Sequence, residues 1–196
     1  MSSEAVVTLT SESPRNRRQE ETIRKIVTAG REMLGETTYA DMTIRGVAAR
    51  AKVAPATAYT YFSSKSHLVA EIYLDLIHEA PYFTDVNDGQ SARVTKTLRS
   101  LALVVADEPE IATGCTTALL SNNDEAVRAV RDKIGLEIHR RIRSAMGPDA
   151  DPRVVSALEM TFFGALMHAG SGTFTYHEIA DKLTFVVDLM LGKNER

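Results

Sequence analysis

Apolar residues recur at three- and four-residue spacings along almost the whole chain, and alternating β-branched runs bounded by turns are missing. This pattern predicts an all-α fold. The first stripe covers residues 16–34, where Ile23, Ile26, Val27, Gly30 and either Met33 or Leu34 share one side and Arg17, Arg18, Arg24, Lys25 and Arg31 lie elsewhere; Gly35 ends it. A short second helix follows to Ala51, opened by Thr43 as a capping residue, with Ile44, Val47, Ala48 and Ala51 on one stripe. Lys52-Val53-Ala54 makes a tight turn, and Pro55 stands where a helix tolerates proline best, at the start of a third short helix reaching Tyr61. Two short helices joined by three residues form a helix-turn-helix.

Beyond it, Ser63 or Ser64 caps a helix over residues 65–79, stopped by Pro81, and further helices are expected near 91–106, 109–120, 125–146, 152–169 and 177–191. The breaks carry turn or cap chemistry: Asp88-Gly89, Glu108-Pro109, Asn122-Asn123, Gly147-Pro148 and Gly170-Ser171-Gly172. The organisation read from this is a tail (1–14), a helix-turn-helix head (15–64) and a helical body (65–196).

Composition is that of an ordinary globular protein, with 44% hydrophobic and 25% charged residues in 196. No apolar run approaches the ~18 residues a membrane span needs. Residues 1–14 lack the basic and apolar regions of a secretory signal, so a cytoplasmic location is expected. The net charge of −3 argues against nucleic acid until it is divided along the chain. Residues 1–67 hold ten basic and seven acidic side chains, whereas residues 68–196 hold thirteen and nineteen, the pattern of a basic head on an acidic body. The lone Cys115 permits no intrachain disulfide and no multi-cysteine metal site. His67, His78, His139, His168 and His177 are dispersed, and no phosphate loop, nucleophile elbow or zinc motif appears. An enzyme, a metal site and a bound cofactor are therefore not expected.

From Thr43 to Leu68 the string TIRGVAARAKVAPATAYTYFSSKSHL closely resembles the DNA-binding signature of the TetR family of bacterial regulators. The likeness lies in Thr-Ile-Arg at the start of the second helix, Val-Ala-x-x-Ala within it, Val53 in the turn, Thr57 and Tyr59, and Tyr61-Phe62-x-x-Lys65 followed by Leu68. It implies three helices in the head and about six in a body that dimerises and takes a ligand. Two positions depart from the pattern: Lys52 stands where glycine is common, and Ala54 replaces a hydroxyl cap.

The third helix is then the recognition helix, whose N-terminal side chains meet base edges in the major groove. Pro55, Ala56, Thr57, Ala58 and Thr60 are expected near the groove, where small and methyl-bearing side chains suit thymine methyls and leave part of the discrimination to DNA shape. Thr43, Arg45, Tyr59, Tyr61 and Lys65 are expected at phosphates, Tyr61 with core packing as its other reading. Arg17, with Arg15 and Arg18, either reaches the DNA as a basic arm or is a solvated helix start.

In the body, Leu158, Phe162, Leu166, Phe185 and Leu189 belong to apolar faces broader than one protomer can hide, which implies a four-helix seam between two copies and a palindromic operator. The resemblance further implies a pocket, for which the candidate walls are Phe83, Leu101, Val105, Cys115, Leu119, Ile138, Ile142, Phe163, Met167 and Phe174, with His139 and His168 as polar handles. Such walls suit a small hydrophobic effector. The expected activity is repression, relieved when the effector favours a spacing of the two heads that no longer fits the operator, with the 65–79 helix as lever. The alternative is a ligand-independent DNA-binding protein whose body only dimerises or binds a protein partner.

Overall fold

The structure is a computed structural model that describes residues 14–120 and 124–192. Residues 1–13 of the expected tail lie outside the described residues, as do the side chains of Arg15 and Leu119. The described chain is helical without strands: α1 (Pro14–Leu34), α2 (Ile44–Arg50), α3 (Pro55–Tyr61), α4 (Lys65–Glu79), α5 (Gln90–Leu103), α6 (Pro109–Leu120), α7 (Glu125–Met146), α8 (Pro152–Gly170) and α9 (Tyr176–Leu191). The first helix begins at Pro14, inside the expected tail, and α5 stops three residues short of expectation because residues 104–107 form a turn before Pro109.

Local chemistry explains most of the boundaries. Thr43 Oγ1 accepts the Gly46 amide at 3.0 Å, Ser64 Oγ the His67 amide at 3.0 Å, and Asp151 the Arg153 amide at 2.8 Å. Thr175 and Glu178 form a reciprocal capping box on α9. Only backbone conformation starts α3, since Ala54 offers no side-chain acceptor; Pro55 presets φ in its place. Lys52 adopts φ 56°, the left-handed conformation that the turn requires and that costs a non-glycine residue about 1 kcal/mol. The Val53 amide closes that turn on the Ala48 carbonyl at 3.0 Å.

In the head, α1–α3 close over Ile26, Met42, Val47, Ala48, Ala58 and Phe62, all within 2% of complete burial. Two helices organise the rest. The pairs Ser64–Asp124 and Glu71–Lys133, and the contacts of Arg141 with the end of α4, show that α4 and α7 lie side by side and run in the same direction. By contrast α5 runs antiparallel to α9, with Ser91 against Asp188 and Arg99 against Asp181. The end of α4 is gripped by a buried charge. Arg141 donates to the carbonyls of Ala80 (2.7 Å), His78 and Pro81 (both 3.3 Å), and to Glu137 Oε1 (2.8 Å), while its guanidinium lies 4.2 Å from the Tyr82 ring centre. Tyr82 donates its hydroxyl to the same Glu137 oxygen at 2.7 Å. Burial alone would raise the Glu137 carboxyl; the Tyr82 and Arg141 hydrogen bonds prevail and hold it below the usual range.

Candidate nucleic-acid interface and body cleft

The third helix is packed on the side of Ala58, which is fully buried, and presents Pro55, Ala56, Tyr59 and Thr60 to solvent; Thr57 is half-buried. Ala58 therefore faces the core rather than the groove side expected of it, because the second helix crosses at that point. Tyr59 is 48% exposed with its phenol outward. Tyr61 is half-buried against the core, which leaves room for both of its readings. Thr60 donates its hydroxyl to the Ala56 carbonyl at 2.9 Å. At the start of α2, Thr43 and Arg45 are both exposed, so capping by the Thr43 oxygen is compatible with an anion approaching the free α2 amides. Arg17 is exposed on α1. Arg50, by contrast, is paired with Glu36 and Glu32.

Lys65 is placed differently from the expectation. Its ammonium donates to the carbonyls of Tyr39 (2.7 Å) and Ala40 (3.1 Å) and stands 4.3 Å from the Tyr39 ring centre. It is a tie on the loop between α1 and α2, where unpaired carbonyls need a donor. That loop is held from the body as well. The Tyr39 amide donates to Glu110 Oε2 at 2.6 Å, and the Tyr39 ring lies on Gly114 so closely that a Cβ there would stand 2.8 Å from Cδ2. A second joint follows the recognition helix: Ser64 donates its hydroxyl to Asp124 Oδ2 at 2.7 Å, while Asp124 Oδ1 accepts the Ala126 amide at 3.0 Å and caps α7. The Ser64 hydroxyl is the main reason the Asp124 carboxyl sits below the usual range. None of Tyr39, Glu110, Ser64 and Asp124 stood out in the sequence as a head-to-body contact, although Ser64 was legible as a cap.

The body candidates separate into three groups. Leu101, Cys115, Ile138 and Ile142 are buried in the protomer core, and burial pushes the Cys115 thiol well up, so it packs rather than reacts. Phe163, Met167 and His168 are exposed on α8, His168 with its ring 5.6 Å from that of Phe174, whereas Leu158 and Phe162, expected in the seam, are completely buried in the protomer. The two sets lie on different sides of α8, about a hundred degrees apart at Phe162 and Phe163, and the neighbouring helices α7 and α9 decide which side faces inward. His139 is held by Glu159 at 2.6 Å across α7 and α8, and Phe83 is half-buried in the loop after α4. Leu166 is half-buried; Phe185 and Leu189 are 64% and 68% exposed.

Of the expected walls, Val105 and Phe174 do line a cleft. It has a volume of about 420 Å³ and lies between the start of α6 and the α8–α9 turn, with Ala106, Pro109, Ala112, Thr113, Thr116, Gly170, Tyr176 and His177 around it. Thr113 and Thr116, one turn apart on an apolar helix, were the signal available in the sequence. Among the described residues no cluster of His, Cys, Asp or Glu suits a metal ion, and no helix is long and apolar enough to cross a membrane.

A seven-residue helix standing proud of a three-helix head, preceded by an exposed capped helix start, defines the class: a helix-turn-helix DNA-binding regulator. Residues 26–72 match the profile of bacterial regulatory proteins of the tetR family. A helix-turn-helix-type transcriptional regulator of Mycobacterium tuberculosis is 67% identical over 183 residues, spanning 92% of this chain and 86% of the relative; one from Mycobacterium bovis matches to the same extent. The chain belongs to the TetR family of transcriptional regulators. The fold is shared with a TetR regulator from Rhodococcus sp. RHA1 (TM-score 0.74, 21% identity, covering 91% of this chain and 98% of that one). It is also shared with FadR from Bacillus subtilis, solved in complex with stearoyl-CoA (TM-score 0.53, 15% identity, covering 87% and 99%).

Proposed function

We propose that this protein is a cytoplasmic, non-catalytic repressor that binds a palindromic operator as a homodimer and releases it when a small, mainly apolar effector enters the α6–α9 cleft. The observation that carries the reading is the position of α6. One side of it, at Pro109, Ala112, Thr113 and Thr116, lines the cleft, and Glu110 and Gly114 hold Tyr39 of the head. A ligand that displaces α6 therefore has a mechanical route to the α1–α2 loop, beside the ties that Lys65 and Ser66 at the start of α4 make to Tyr39. An effector that binds better when α6 is displaced would shift the population away from the DNA-binding state. The stearoyl-CoA bound by the Bacillus subtilis neighbour supports an effector with an apolar portion.

Dimerisation is supported by the apolar surface that α8 and α9 leave uncovered. Met160 (74% exposed), Phe163, Met167, Phe185, Leu189 and Met190 exceed the scattered apolar residues of an ordinary surface. Gly164 lies among them with open space where a Cβ would be. Base contact falls to Pro55, Ala56, Thr57 and Thr60, and phosphate contact to Thr43, Arg45, Tyr59, Tyr61 and the Arg17 arm.

The test is fluorescence anisotropy of purified protein with DNA from the region upstream of its own gene, at stated salt and with unrelated DNA as competitor. Saturable binding at two chains per site, reduced by Tyr59→Phe and reversed by one member of a panel of fatty acids and acyl thioesters, is the expected result. Specific binding that no apolar compound reverses would support the ligand-independent reading. Absence of specific binding anywhere in the flanking intergenic DNA would overturn the assignment of an autoregulatory operator.

A further inference from the structure

At the far end of α7 from the head lies a second concavity, with a volume of about 650 Å³, lined by Thr84, Val86, Arg93, Arg140, Arg143, Ser144, Gly147 and Pro148. Three of these carry guanidinium groups and none carries a carboxylate, in a body whose sequence is acidic overall. Three of the nearby acids are engaged elsewhere, while Asp149, next to Pro148, is exposed. Asp88 holds Lys96 at 2.6 Å, Asp85 accepts the Asn87 amide and side chain, and Glu137 is taken by Arg141 and Tyr82, reaching Arg140 only at 3.9 Å.

Arginines near a helix C-terminus ordinarily balance its dipole and its unpaired carbonyls. Arg93 does this, donating from Nε to the Ala145 carbonyl at 2.9 Å and from Nη1 to the Asp88 carbonyl. That anchors its guanidinium with Nη2 directed along the cleft wall, 3.6 Å from the place a Gly147 Cβ would occupy. Gly147 has φ 91°, so the wall stays bare at this point. Arg140 and Arg143 cap no carbonyl, and among the described residues Arg143 meets no carboxylate. Three guanidinium groups on one concave surface, with Glu137 at 3.9 Å from Arg140 as a distant counter-ion, raise the local potential and favour a multiply charged anion.

We infer that this cleft is an anion site for an organic diphosphate of the nucleoside diphosphate class. Guanidinium pairs match phosphoryl oxygens in a bidentate way, and the Thr84 and Ser144 hydroxyls add donors a diphosphate can use. A monocarboxylate would engage fewer of the three guanidinium groups than a diphosphate can. The volume exceeds what an inorganic anion fills, and Val86 and Pro148 give the rim an apolar surface for the remainder of the molecule. The site is separate from the α6–α9 cleft and does not depend on the repressor assignment.

The test is isothermal titration of the full-length protein, without DNA and at constant ionic strength, with inorganic pyrophosphate, with ADP and with sulfate. The expected result is saturable ADP binding, weaker pyrophosphate binding, and no binding of sulfate in the same range. Arg143→Gln and Arg140→Gln are each expected to weaken ADP at least tenfold, with the thermal midpoint of the free protein unchanged because neither side chain is buried. Three results would overturn the inference: no saturable heat with ADP or pyrophosphate, equal affinity for sulfate, or full affinity in Arg143→Gln, which would place the anion on the basic head instead.

Discussion

The contact between α6 and the end of α8 can be tested by moving a single methyl group. Gly170 ends α8, and a Cβ there would stand 2.5 Å from Thr116 Oγ1 and 2.6 Å from Thr116 Cγ2. Thr116 has little freedom to yield, since it is β-branched and donates its hydroxyl to the Ala112 carbonyl at 3.0 Å. Alanine in place of a helical glycine ordinarily gains about 0.5–1 kcal/mol. Against that stands overpacking of about 1–3 kcal/mol. Gly170→Ala should therefore lose about 1–2 kcal/mol, or about 2–8 °C in a domain of this size. Thr116→Ala removes both crowding atoms and leaves a 3.1 Å approach to its own Cβ, which small shifts relieve. In that background Gly170→Ala should change sign and stabilise by about 0.5 kcal/mol. The assay is thermal unfolding of the four proteins of this double-mutant cycle at one protein concentration. The expected coupling is about 1.5–2.5 kcal/mol, well above the ~0.5 kcal/mol within which independent sites add. Additivity would refute the reasoning and mean that α6 and α8 are not seated on each other here.

Four further outcomes are expected. Lys65→Met should lower the melting temperature by removing two carbonyl contacts, and should leave the slope of log affinity against log salt unchanged; a slope reduced by about 0.9 would show that Lys65 neutralises a phosphate after all. Arg141→Leu should cost about 3–5 kcal/mol in chemical denaturation, because Glu137 is left buried without its cation, and a loss below 1 kcal/mol would contradict that burial. The His67 ring accepts the Ser63 amide at 3.3 Å, and burial holds its pKa below the ordinary value. A depressed pKa means stability present above about pH 6.5 and lost as pH falls, so the melting temperature should drop from pH 7.5 to 5, less steeply in His67→Gln; Asp124 adds a second loss only below about pH 4. Phe185→Glu should convert the protein to monomers in sedimentation velocity and abolish operator binding, whereas an unchanged dimer would move the seam away from α9.

Much of the frame was legible because its causes are local. Thr43 and Ser64 announce helix starts within a few residues of themselves, Pro109 opens α6, and Gly147 marks the end of α7 in the same way. The recognition helix was readable from a contiguous string. What escaped was set by partners far along the chain. Lys65 looked like a phosphate contact until Tyr39, 26 residues earlier, claimed its ammonium. Phe162 and Phe163 are neighbours that point about a hundred degrees apart on a helix, and nothing in their own segment says which one α9 will cover. The cleft likewise needs residues of α6 beside the α8–α9 turn, a meeting of segments some sixty residues apart that periodicity does not encode.

The bond between Ser64 and Asp124 has a consequence for anyone building chimeric regulators. Each of these residues begins a helix, and each helps hold the other in place across sixty positions of sequence. A transplant that cuts after the recognition helix would carry Ser64 into a host lacking its acidic counterpart, and would strand Tyr39 without Glu110. The exchangeable part is thus the three-helix head together with the first turns of α6 and α7. Grafts made on sequence boundaries alone should give proteins that still touch DNA but no longer answer to the body beneath them.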